Sequence, residues 1–165
     1  MLGRVQSTSR VELVRTGTDA RLWSRRGTNL TTRFPLLAAA AVRQLPEGLV
    51  LDGELVVYMD GLPDFGALQS RETARRPASY MVFDLLAVGD VDIRSMPWDR
   101  RRQRLETLAQ TWAAPLELCP VTFNLEEARE WFEVLGEIGV EGLVVKGRRT
   151  RYLPGHPSGW LKVRS

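Results

Sequence analysis

The chain has 165 residues, of which 44% are apolar and 26% charged, and a formal net charge of +3. This length suits one domain with a real core, since a chain of this size buries roughly 68–70% of its unfolded surface, and the balance excludes a disordered or collagen-like protein. No run of about 18 apolar residues is present to cross a membrane, Met1 to Arg10 contains no apolar signal segment, and the single cysteine, Cys119, points to a reducing compartment, the cytoplasm.

In chain order, Arg10 to Arg15 and Ala20 to Arg25 read as two short strands around a Thr16-Gly17-Thr18-Asp19 turn. Thr28 to Thr31 supplies capping-type residues ahead of an Ala-rich helix from Phe34 to Leu45, with Pro35 tolerated in its first turn. Leu49 to Met59 alternates like a strand pair, and Asp60-Gly61 is a turn dipeptide. Phe65 to Arg75 suits a short helix, and Ser79 to Val88 a buried strand. Pro97 opens a charged helix reaching about Trp112, with Arg100, Arg101 and Arg102 expected on a solvated face. Leu116 to Phe123 reads as a strand. Asn124 caps a helix from Leu125 to Ile138, whose first turn holds Glu126 and Glu127, where the helix dipole favours acids. Gly142 to Gly147 and Gly159 to Arg164 read as two further strands joined by the basic loop Arg148 to Ser158. Strands and helices mix without regular βα alternation, which predicts an α+β fold with largely antiparallel sheets flanked by helices. Residues 1–9 carry no assignment, and residues 10–165 read as one domain.

Four segments embed charges in β-type apolar runs: Asp52-Gly53-Glu54, Phe83-Asp84, Glu141 to Lys146, and Trp160 to Arg164. Buried charges are costly unless paired or bound to something. Period two puts Lys162 and Arg164 on one face of their strand, where two cations repel unless an anion lies near. Cations together with carboxylates suit a nucleotide phosphate with Mg²⁺, which prefers oxygen ligands and bridges phosphate oxygens. Taken singly, each segment has a plainer reading. Asp52-Gly53 alone is a turn, Phe-Asp-Leu-Leu is core with a capping acid, and a strand-end Lys-Val-Arg is a solvated edge. Together and in this order they point to a site. Neither G-x-x-x-x-G-K-[ST] nor G-x-G-x-x-G is present. His156 reads as a solvated loop residue, Cys119 as core, and Trp112 and Trp131 as apolar helix faces.

The ordered set resembles the adenylation domain of ATP-dependent DNA ligases, of the covalent nucleotidyltransferase superfamily, and most of all the bacterial end-joining type. Leu22 to Gly27 resembles the S-R-x-G segment, Asp52-Gly53-Glu54 the third motif, Tyr80 to Leu86 the aromatic-acid strand, and Pro97 to Leu105 the helix that follows. Glu141 to Lys146 resembles E-G-x-x-x-K, and Trp160 to Arg164 resembles W-x-K-x-[KR]. The resemblance implies a nucleotidyltransferase or ATP-grasp-like domain with ATP and Mg²⁺ as cofactors and nicked or broken DNA as partner. It implies that Phe83 stacks on adenine and that Glu54 binds ribose and helps place the metal. Glu141 would serve the metal, Lys146, Lys162 and Arg164 the phosphates, and Arg25, with Arg26, the DNA 5′-phosphate.

One motif is missing. The family's nucleophile is the lysine of K-x-D-G-x-R, yet the only lysines here are Lys146 and Lys162, the other 21 of the 23 basic residues being arginine. The chain is therefore expected to be a truncated, N-terminally incomplete form that keeps the nucleotide pocket, lacks the attacking group and the OB-fold that completes a ligase, and does not adenylate itself. A separate polypeptide supplying the missing segments is one expectation. A non-catalytic ATP- or DNA-binding module and an RNA ligase or capping-type nucleotidyltransferase are the competing readings.

Overall fold

The computed structural model describes residues 10–59, 62–64, 78–137, 142–155 and 160–164. The expected Asp60-Gly61 turn, the expected helix over Phe65 to Arg75, Glu141 and His156 lie outside the described residues.

The strands are β1 (Arg10–Thr16), β2 (Asp19–Ser24), β3 (Leu49–Met59), β4 (Leu62–Asp64), β5 (Ala78–Val88), β6 (Val91–Asp92), β7 (Leu116–Leu118), β8 (Gly142–Lys146) and β9 (Trp160–Arg164). The helices are α1 (Pro35–Gln44), α2 (Trp98–Ala109) and α3 (Leu125–Glu137), with a short 3-10 turn at Thr31–Arg33. Seven strands form one sheet in the order β2-β1-β3-β5-β6, with β4 on β3 and β7 on β5, and β8 and β9 form a second sheet. Every pairing is antiparallel except β5 with β7. The expected strand over Leu116 to Phe123 shortens to Leu116–Leu118, and helix α2 stops at Ala109, short of Trp112.

Side-chain alternation gives the large sheet two unlike faces. Val11, Leu13, Leu51, Leu55, Val57, Tyr80, Val82 and Leu85 point one way and are buried against the helices. Helix α1 meets them with Leu37, Ala40 and Ala41, followed by Leu45, the i, i+3, i+4 stripe of an amphipathic helix. Each buried Leu or Val contributes about 1.5–3 kcal/mol of transfer free energy. The opposite face carries Arg10, Glu12, Asp52 and Glu54, because Arg10 faces Glu54 and Glu12 faces Asp52 across the β1–β3 pair.

Asp52-Gly53 is no turn; it lies in the middle of β3. Gly53 is required by the ring of Tyr80, whose hydroxyl donates to Val11 O (2.7 Å) and Leu51 O (3.1 Å). A Cβ at Gly53 would come within 2.6 Å of Met81 O and 2.8 Å of the Tyr80 ring. At this point the register slips: Asp52 pairs with Asp84 and Gly53 with Val82, so Phe83 is the extra residue of a β-bulge. Strict alternation would send Phe83 and Asp84 to opposite faces. The bulge lets both reach the charged side, where each lies close to Lys146.

Helix α2 corrects the sequence reading most. Arg101 is 0% exposed and Arg102 6%, both on the buried stripe with Trp98 and Leu105, and of these three arginines only Arg100 is solvated. Arg101 grips Asp84 with Nε (2.9 Å) and Nη2 (3.0 Å). Asp84 is thus an ion-pair partner rather than a capping acid. Arg102 donates to Cys119 O (2.9 Å) and Glu106 Oε1 (2.7 Å), and Cys119 is core. Asn124 caps α3 as expected, accepting from Glu126 N (2.9 Å). Thr31 does not cap α1: its hydroxyl accepts from Leu22 N (3.0 Å), and Phe34 stands at the cap position without a side-chain bond.

Candidate nucleotide-binding site

The charged face of the large sheet is organised by one carboxylate. Asp52, 2% exposed, accepts from Arg10 Nε (3.0 Å), from Arg10 Nη2 and from the Tyr152 hydroxyl (2.8 Å). Arg10 Nη2 also donates to the Tyr152 oxygen (3.0 Å). Burial works against the charge on Arg10, but Asp52 outweighs it and holds the guanidinium above its ordinary range. Burial and Asp52 raise the Tyr152 phenol, which keeps it a donor. Glu12, opposite Asp52, is raised by burial and by that neighbour's charge. Glu54 follows on the same face, 7% exposed.

The second sheet faces this surface with one side of its strands. Lys146 pairs with Trp160 and Val144 with Lys162, so Lys146, Trp160, Lys162 and Arg164 share a face. Lys162 is half-buried and Arg164 exposed at the strand end, while Leu161 and Val163 point outward. The Lys146 side chain is 2% exposed. Its Nζ stands 3.9 Å from the Trp160 ring centroid, 4.8 Å from Phe83, 6.0 Å from Trp98 and 3.9 Å from Asp84 Oδ2. Nζ has no hydrogen-bond partner among the described residues. Burial pushes this amine down to about 8, against the pull of Asp84 and Asp52. Phe83 also carries the Arg10 guanidinium 5.4 Å from its centroid.

A cavity of about 780 Å³ opens beside this cluster, lined among others by Arg10, Glu12, Trp23, Arg25, Asp52 and Trp160. Arg25, just past β2, faces into it, while Arg26 is exposed in the same turn and is not among the lining residues. The geometry thus gathers Phe83 and Lys146 directly, sets Glu54 on the same sheet face, and aligns Lys162 with Lys146 on the facing strands. Glu141 lies outside the described residues. Tyr152 carries no motif signal of its own, and Arg101 lies inside the Pro97 to Leu105 segment without being singled out as a site residue. Arg101 could have been found from its i+3 spacing to Trp98 and i−4 spacing to Leu105 on one helical stripe. For Arg10 the signal is the last letter of K-x-D-G-x-R. Counted back from Arg10, the pattern puts lysine, aspartate and glycine at positions 5, 7 and 8, where the chain has Val5, Ser7 and Thr8.

An apolar-backed sheet whose charged face meets a two-stranded hairpin across an aromatic and cationic cleft defines a nucleotidyltransferase-type domain. The solved ligase domain of LigD from M. tuberculosis shares this fold at a TM-score of 0.79, with 28% identity over 98% of this chain and 53% of that one. A mycobacterial DNA ligase D complexed with ATP superposes at a TM-score of 0.77, with the same identity and coverage. In sequence, DNA ligase C2 of Mycolicibacterium smegmatis is 38% identical over 152 residues, 86% of this chain and 43% of that protein. DNA ligase C of Mycobacterium tuberculosis is 34% identical over 154 residues, 85% of this chain and 43% of that protein. The model of the ATP dependent DNA ligase domain matches residues 8–164, and the chain belongs to that family. It spans about half or less of the length of these relatives.

Proposed function

We propose that the cleft between the two sheets binds ATP as the adenylation domain of a cytoplasmic DNA-end-joining ligase. Phe83 stacks on the adenine, and Arg25, Lys146, Lys162 and Arg164 meet the phosphates. Glu54 contacts the ribose and, with Glu141, serves Mg²⁺, which would shield charge on the phosphates. Arg25 and Arg26 reach toward the 5′-phosphate of a nicked or broken DNA strand. The observation that carries this reading is the Phe83 ring, raised by a bulge into a buried cluster of cations beside an arginine-lined cavity. Aromatic rings recognise the π-face of a base, and clustered cations recognise phosphate.

In this reading residues 1–165 hold ATP without forming a lysyl-adenylate, since Val5 stands where the pattern counted from Arg10 calls for the lysine. The test joins two measurements on the purified chain. At a hundred times its Kd, ATP with Mg²⁺ stabilises the native state by about 2.7 kcal/mol, a rise in Tm of about 5–11 °C for this size. ATP labelled at the α-phosphate leaves no covalent label on a denaturing gel. Absence of stabilisation overturns the nucleotide reading, and covalent label lost in Lys146→Ala overturns the non-covalent one.

A further inference from the structure

One tyrosine joins the two sides of the cleft. The loop after β8 is tied down by backbone bonds, from Trp98 N to Thr150 O (2.9 Å), Asp99 N to Arg148 O (3.0 Å) and Tyr152 N to Arg94 O (2.9 Å). From that anchored loop the Tyr152 side chain crosses to the large sheet. Its ring meets Trp160 edge-on, with centroids 5.9 Å apart at 75°. Its hydroxyl donates to Asp52 Oδ2 and accepts from Arg10 Nη2. Arg10 in turn lies over Phe83 and lines the cavity. The contacts run without a gap from Trp160 on β9 through Tyr152, Asp52 and Arg10 to Phe83 on β5.

We infer that Tyr152 is a positioning residue for the phosphate-bearing part of the ligand, acting through Arg10. A hydroxyl that donates to the carboxylate and accepts from the guanidinium at once fixes the angle between them. It therefore sets where the guanidinium stands between the Phe83 ring and the cavity that holds Arg25. Asp52 holds Arg10 at two points, Nε and Nη2, and Tyr152 adds a third bond, to Nη2. Small displacements of a group that meets charge are costly in affinity. The group positioned is a cation, whose counterpart on the ligand is phosphate, so ATP feels the change and adenosine does not. The inference rests on the nucleotide reading above.

The test measures Kd for ATP and for adenosine by calorimetry, on the full chain and on Tyr152→Phe, Arg10→Gln and the double variant. Tyr152→Phe keeps the ring on Trp160 and removes only the hydroxyl. It weakens ATP by roughly three- to tenfold, the range of one ordinary hydrogen bond, and leaves adenosine unchanged. In the Arg10→Gln background the same change has no further effect on ATP, because the group it positions is gone. Equal weakening of ATP and adenosine, or additive losses in the double variant, assigns Tyr152 a packing role only and overturns the inference. Asp52→Asn reads the linkage from its other end and also weakens ATP more than adenosine; equal losses there overturn it too, even where Tyr152→Phe fails to fold. A wild-type chain that binds neither ligand overturns the nucleotide reading and the inference with it. ATP binding unaffected by Tyr152→Phe overturns the inference alone.

Discussion

Removing the carboxylate of Asp84 is the sharpest perturbation the fold offers. Asp84 and Arg101 are both 0% exposed at their side chains, and they share two hydrogen bonds of 2.9 and 3.0 Å. Arg101 also donates to Met96 O, so part of its charge stays solvated by the backbone after Asp84 is lost. Asp84→Ala leaves a guanidinium and the nearby Lys146 ammonium buried without their shared anion. Breaking a buried pair in this way costs about 3–5 kcal/mol. For a domain of this length each kcal/mol moves Tm by roughly 2–4 °C, so the variant should melt about 6–20 °C lower. Urea unfolding followed by tryptophan fluorescence checks the magnitude, with the slope against denaturant unchanged if the native state keeps its compactness. Replacing both partners, Asp84→Leu with Arg101→Met, should recover part of the loss, because it removes one of the two cations that Asp84→Ala strands. A loss below about 1 kcal/mol for Asp84→Ala, the size expected of an exposed pair, would refute the assignment of this pair to the interior.

Three further outcomes follow from the same geometry. Lys146→Met should stabilise the protein by about 1–3 kcal/mol at pH 7, because burial brings the folded amine down to about 8 from the 10.5 of an exposed one. The unfolded chain binds the extra proton between those values, so the wild type regains stability as pH rises from 8 to 10.5, and the advantage of the variant should shrink over that window in a pH series of urea melts. Gly53→Ala should cost about 2–3 kcal/mol by overpacking against Met81 O and the Tyr80 ring, read by thermal unfolding. Phe83→Ala should weaken ATP about five- to 150-fold, the 1–3 kcal/mol of one base stacked on an aromatic ring, with circular dichroism unchanged.

Local rules read the outer fold well and the interior of the site less well. The strands of the β1–β2 hairpin, β3, β5, β8 and β9 follow from apolar runs and turn residues, and α1 and α3 from spacing and, for α3, its cap. Charge patterning misled at α2, where Arg101 and Arg102 look like solvent-facing residues until Asp84 and Cys119 O, 17 residues distant, receive them. The pairing crosses from one element to another, and no window the length of a single strand or helix contains both partners. Phe83 and Asp84 could not be placed on one face by period two, because the bulge depends on how β3 registers against β5. Tyr152 and Asp52 are 100 residues apart in sequence, and their bond depends on a β8–β9 loop held by the first-turn amides of α2 and by Arg94 O.

That register slip has an evolutionary corollary. Phe83 and Asp84 are consecutive, one turned to the cleft as a platform and one to Arg101 as an anchor. A single-residue deletion in β5 that straightened the strand would leave one place on the charged face where the bulge now sets two, the ring and the anchor. The cleft keeps its platform only as long as the strand keeps its extra residue.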